Sequence, residues 1–211
     1  MRILPTDALI VVDLQPDFMA GGALAVPGGD EVAAPIGALA SRFSTVVATQ
    51  DWHPRGHLSF ASSHPGRKPF EVIQLYGAAQ TLWPDHCVQG SAGAALHPAL
   101  PDEAVSLVLR KGAHRIVDSY SGFRENVGPD GKRPPTGLAG WLNERGIQRV
   151  FVVGLARDFC VQATSVDAAE AGLEVVLVDD LTRSVDESSR ARVDALLAEH
   201  HVQLIQHKEL V

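Results

Sequence analysis

An α/β layered fold built on a parallel sheet is what this sequence of 211 residues predicts, on three observations. Six short apolar runs lack period-two alternation, the mark of strands buried on both faces. Helix-like stretches separate several of these runs, which implies layers joined by right-handed crossovers. Two long segments rich in Gly and Pro begin where strands end, and open α/β folds bind ligands there.

Taken in order, the first run is 8–12, ended by Asp13, and a helix-like stretch over 31–42 leads to the second run, 45–48. Residues 52–104 hold Pro, Gly, His and Trp with little periodicity, and read as a long loop. The third run, 105–109, is followed by a second loop over 112–136 and a helix over 137–145. After the fourth run, 150–153, comes a helix over 158–171 with Asp158 as its N-cap. The run 174–178, a helix over 186–200 and the run 202–205 complete the pattern. No repeat, low-complexity tract or composition shift divides the chain, so 1–211 read as a single domain.

Charge narrows the functions available. Lys and Arg number 18 against 25 Asp and Glu, a net charge of −7, with no basic run, so nucleic acid and anionic membranes are not expected partners. The first apolar run is too short for a signal core or a membrane span, which makes the cytoplasm the expected address. Two cysteines, Cys87 and Cys160, are too few for a disulfide-stapled scaffold and read as free thiols.

If the strands are parallel neighbours, Asp13, Asp51, His53, Lys111 and Cys160 share one rim. Thiol, carboxylate and ammonium together make a nucleophilic unit, although each alone has a plainer reading as a cap residue, a small buried hydrophobe or a solvated lysine. Cys160 is favoured over Cys87 as nucleophile, because the first turn of a helix stabilises a thiolate and offers N–H groups to an oxyanion. Asp13 could take the thiol proton and return it to a leaving amine, with Lys111 balancing charge. Asp51 and His53, two residues apart at a strand end, could grip one metal ion, with His57 and His86 in the loop beyond. Such a donor set suits zinc, iron or manganese without choosing among them.

Six motifs carry a resemblance: DLQPDF at 13–18, QDWHPRGHLSFA at 50–61, LWPDHCVQG at 82–90, LRKG at 109–112, DSYSGF at 118–123 and GLARDFCVQATSVDA at 154–168. Together they resemble the nicotinamidases of the isochorismatase-like cysteine hydrolase superfamily, in order and over most of the chain. The resemblance implies a Rossmann-like fold with a six-stranded parallel sheet, and a triad of Cys160, Asp13 and Lys111. It implies one divalent metal, zinc foremost, held by Asp51, His53 and His86, with His57 matching a ligand found in some members. It also implies a cis peptide between Leu155 and Ala156, an oxyanion hole from the amides of Ala156 and Cys160, and a pocket with Phe18 and Trp83 stacked about the substrate ring. Tyr120 and Phe123 are further pocket candidates. Arg157 departs from the smaller polar residue common in relatives, and is expected to affect access or an oligomer contact.

The implied activity is hydrolysis of nicotinamide to nicotinate and ammonia, with pyrazinamide as a second substrate, in NAD salvage. A small-molecule substrate is the partner, and a homo-oligomer is compatible. The rivals are an amidase of the same superfamily acting on another small amide, a metal-activated water as catalyst, and a binding module without catalysis. Isochorismatase proper lacks the cysteine, so Cys160 argues against it.

Overall fold

A computed structural model describes residues 1–211. Six parallel strands form one sheet: β1 (Asp7–Val12), β2 (Val46–Asp51), β5 (Leu107–Lys111), β6 (Arg149–Leu155), β7 (Glu174–Arg183) and β8 (Gln203–Ile205), in the spatial order β5-β2-β1-β6-β7-β8. This is a doubly wound, Rossmann-like sheet whose direction of growth reverses between β1 and β6. Every residue of β1 is buried, which explains why its sequence is continuously apolar rather than alternating.

Helices cover both faces. α1 (Gly29–Ala40) closes one, over a core that includes Leu9, Val11, Ile36, Phe151 and Val153. On the other face lie α2 (Leu138–Glu144), α3 (Gln162–Glu170) and α4 (Arg190–Glu199), over a core that includes Ala8, Ile10, Val12, Val150 and Val152. Alternate residues of β1 and β6 therefore serve opposite layers, as the pleat requires.

Residues 52–104, expected as loop, contain a short antiparallel hairpin of β3 (Val72–Leu75) and β4 (Ala78–Thr81), with Gly77 at φ +81° in the turn. No α-helix bridges β2 to β5, only single 3-10 turns. Near the sheet's carboxyl end the β6–β7 ladder slips, Val152 facing Leu177 but Gly154 facing Thr182. Gly154 makes that irregularity feasible, since at φ +112° a Cβ would lie 2.1 Å from the Val12 carbonyl oxygen.

Candidate active site and metal centre

Three adjacent strands deliver the central charges. Asp13 directly follows β1, Asp51 ends β2 and Lys111 ends β5, paired with Asp51 in the ladder. The Lys111 Nζ lies 2.8 Å from Asp13 Oδ2, in contact with Asp51 Oδ1, and 3.3 Å from Cys160 Sγ. It also donates to the Ser119 carbonyl at 3.1 Å. Asp13 Oδ1 accepts from Thr49 Oγ1 at 2.7 Å, so Lys111 is left as the partner of Oδ2. Asp13, Lys111 and Cys160 all lie within the buried interior.

Burial without solvent decides the protonation pattern. It lowers the Lys111 ammonium, but the charges of Asp13 and Asp51 outweigh it and hold Lys111 well above the usual lysine range. It raises Asp51, yet Lys111 and His53 bring that carboxyl well below its ordinary value. For Asp13 burial wins over the attraction of Lys111, and its carboxyl is raised. The Cys160 thiol is pushed well up by burial, against Lys111, with Asp13 and Asp51 adding to the rise. Burial here works against the thiolate that a helix N-terminus favours, and Asp13, in hydrogen-bond contact with the thiol, is placed to take its proton.

The turn that presents Cys160 also departs from expectation. It opens with one wide π turn (Arg157–Val161) in which the Ala156 carbonyl accepts from both Phe159 and Val161 N–H at 3.1 Å. Ala156, not Asp158, is the extended residue before the turn. The Asp158 carboxylate points away, accepting from the Val185 and Asp186 N–H groups at 2.9 Å each. It thereby fixes Val185, which lines the site cavity. The Leu155–Ala156 peptide is cis.

Beside the triad, Asp51 Oδ2 lies 3.3 Å from His53 Nε2 and 3.4 Å from His86 Nε2. The other nitrogen of each ring is held by a carbonyl, His53 Nδ1 by Gly112 at 3.0 Å and His86 Nδ1 by Pro84 at 2.8 Å. Both Nε2 atoms thus face one carboxylate, with their rings oriented as backing carbonyls orient metal-bound histidines. These three residues could hold a divalent ion. Gly112 is needed there, because at φ +61° a Cβ would sit 2.3 Å from the His53 ring. His57 neighbours this group, and with His53 and Asp118 it forms a second set of residues that could hold an ion. Its Nδ1 bonds Ser59 Oγ at 2.7 Å and its Nε2 the Val117 carbonyl at 3.2 Å, so neither nitrogen is turned to Asp51.

The cavity is lined by Phe18, Trp83, Tyr120, Ala156 and Cys160 together with Asp51, His53 and His86. The space inside it open to a water molecule is about 20 Å³. Phe123 is corrected from pocket to core. Its N–H is tied to Ser121 Oγ at 2.9 Å, and the side chain belongs to the layer containing Leu138, Leu142 and Val161. Sequence reasoning missed Phe159, Leu24, Asp118 and Val185, which also line the cavity. Phe159 meets Trp83 edge-on with centroids 4.7 Å apart; its place beside Cys160 was the available signal.

Arg157 reaches neither the site's entrance nor the surface. It is 1% exposed, donating to Asp179 Oδ1 at 2.9 and 3.2 Å and to Asp194 Oδ1 at 2.8 Å. The expectation of altered access or an oligomer contact gives way to a buried ion cluster that ties the π turn to β7 and α4.

Comparison with known proteins matches residues 7–208 to the isochorismatase domain family. A nicotinamidase of Acinetobacter baylyi is 51% identical over 179 residues, covering 85% of this chain and 82% of the relative. A protein from L. infantum, solved in complex with nicotinate, superimposes with a TM-score of 0.86 at 43% identity, covering 100% of this chain and 98% of that one. The pyrazinamidase of Pyrococcus horikoshii, solved in complex with zinc, gives a TM-score of 0.77 at 33% identity, over 96% and 99% of the two chains.

Proposed function

Since this chain belongs to the isochorismatase domain family, and matches a nicotinamidase over most of its length, we propose that it hydrolyses nicotinamide to nicotinate and ammonia through a cysteine acyl-enzyme. The observation that supports the route is the convergence of Cys160, Lys111 and Asp13 inside one aromatic-lined cavity.

Cys160 Sγ attacks the carboxamide carbon. As the sulfur bonds, its proton passes to Asp13, whose raised carboxyl suits both accepting and returning it. The amides of Ala156 and Cys160, both at the cavity wall, receive the oxyanion. Asp13 then protonates the departing nitrogen, the C–N bond breaks, and ammonia leaves a thioester on Cys160. Lys111 stays charged throughout and keeps two buried carboxylates tolerable. Water cleaves the thioester, releasing nicotinate and restoring the thiol.

Asp51, His53 and His86 fit a divalent ion, and zinc suits one carboxylate with two imidazoles. When bound there, the ion supplies a Lewis-acid ligand for the pyridine nitrogen and so orients the amide toward Cys160. Phe18 and Trp83 face the ring with apolar surface. Pyrazinamide keeps a nitrogen at the same position and is the expected second substrate.

Ammonia release from nicotinamide by the purified protein tests this, with and without a chelator. Turnover is expected in the wild type and a drop of at least about 10³-fold in Cys160→Ala. Cys87 lies outside the cavity lining, so Cys87→Ser should be nearly silent. Retained turnover in Cys160→Ala would move the chemistry to a metal-activated water.

A further inference from the structure

The two half-reactions compete for very little space. With only about 20 Å³ open to water before any ligand binds, room for roughly one water, a nicotinoyl group on Cys160 would leave little space beside it for a second molecule. Ammonia must nonetheless leave and a water must reach the thioester carbon.

A second cavity, open to solvent, adjoins the site. It measures about 230 Å³ and shares Tyr120 and Asp118 with the first; its other walls include Gln80 and Ala79 of the hairpin, Ala163 of α3 and Arg133. The partition is a hydrogen-bonded screen rather than packed hydrocarbon. Gln80 Nε2 donates to Asp118 Oδ2 at 2.8 Å and to Tyr120 Oη at 3.2 Å, and Trp83 Nε1 donates to the same hydroxyl at 3.3 Å. Behind the screen, Asn126 Oδ1 accepts from the Tyr120 N–H, and Arg133 reaches Asp167 at 2.8 Å, its side chain 38% exposed. A chamber so furnished offers water several polar partners, and is wide enough for it.

We propose that this adjoining cavity is a passage for small polar molecules, through which ammonia leaves and the hydrolytic water arrives while the acyl group occupies the site cavity. The inference rests on the acyl-enzyme reading above. A water crossing the screen exchanges hydrogen bonds with Gln80, Asp118 and Tyr120 instead of losing them. Its oxygen bonds to the thioester carbon and the C–S bond breaks. One water proton restores the Cys160 thiol by way of Asp13, and the other departs as the product acid ionises.

Ala163→Leu on α3 and Leu75→Trp on the hairpin narrow the chamber from opposite sides without touching the triad or the metal ligands. Each variant is compared with the wild type by rapid-quench ammonia release from nicotinamide, by intact mass after quenching, and by thermal melting. The expected result is a first-turnover ammonia burst, steady-state kcat lowered about tenfold or more, and a nicotinoyl adduct visible by mass in at least one variant that melts like the wild type. Folded variants with kcat within twofold of the wild type and no adduct would overturn the passage. If Ala163→Leu fails to fold, Leu75→Trp decides alone. An inactive wild type would instead refute the nicotinamidase reading, so the two failures are distinguishable.

Discussion

Lys111 is the residue on which the centre turns, since one buried ammonium pairs with both Asp13 and Asp51 and touches Cys160. Lys111→Ala therefore does two things at once. It should cut turnover by roughly 10² to 10⁴, and it should destabilise the fold by about 3 kcal/mol or more, because buried carboxylates lose their counter-charge. Asp13→Asn separates these effects, being nearly isosteric. Its kcat should fall over the same range while the melting transition moves much less, and equal losses of kcat and stability would reduce Asp13 to a structural ion. Metal content gives a second residue-level test. Asp51→Ala and His53→Ala should empty the site and His86→Ala weaken it, whereas His57→Ala should retain the ion, because both its ring nitrogens are bonded elsewhere. Elemental analysis of the four variants checks this, and an ion lost in His57→Ala would restore it as a ligand. Strand-end residues such as Asp13 and Lys111 were legible in the sequence because a buried run ending in a charge is conspicuous. Asp118 and Val185 were not, since a loop residue reveals nothing of which wall it will line.

At the scale of elements, the sequence located all six sheet strands within a few residues; burial on both faces leaves an unbroken apolar run in β1, β2, β6 and the first half of β7, while the part-exposed edge strands β5 and β8 keep shorter ones. It missed the β3–β4 hairpin, whose residues are exposed or half-buried apart from Gln80 and so carry no apolar period. It also extended one helix across 158–171, where the chain makes a π turn before α3. Hydrophobic spacing does not distinguish a wide turn from a regular one over a few residues. That turn is held from behind by Arg157, Asp179, Asp194 and Arg190. Burial raises the Asp179 carboxyl, but hydrogen bonds from Arg190 and Arg157 outweigh it and the net shift is downward. A depressed carboxyl contributes stability above its unfolded value, 3.8, and loses it as pH falls through the lower folded value. Asp179→Asn should thus be less stable than the wild type by about 1 kcal/mol near neutrality, since solvent screens this partly exposed pair, a gap constant down to about pH 4 and closing below it. Denaturant melts across that range measure the gap; one that widened in acid would mean Asp179 is not the charged partner of Arg157.

For the whole molecule, the doubly wound order explains why chemistry and recognition are neighbours. The sheet reverses between β1 and β6, so the crevice at their carboxyl ends receives Asp13 from one side and the Cys160 turn from the other. β2 next to β1, and β5 beyond β2, bring Asp51 and Lys111, and the segment after β2 folds back to supply His86 and Trp83. Cys160 and the group of Asp51, His53 and His86 are thereby anchored about one sheet, and on the proposed reading a substrate is selected by whether it spans both. Nicotinamide and pyrazinamide present a ring nitrogen meta to the carboxamide, whereas benzamide presents the same shape without it. A site built around a polar contact rejects the isostere lacking it by about 10⁴, and a water left on the ion can replace part of that contact, so at least roughly 10² is expected here. The deciding quantity is kcat/KM for the three amides at equal metal loading, repeated on His53→Ala. Discrimination should be large in the wild type and collapse in the variant through loss of the nicotinamide rate rather than gain of the benzamide rate. If benzamide and nicotinamide react equally in the wild type, the ring nitrogen is not read, and Asp51, His53 and His86 hold the loops together without choosing the substrate.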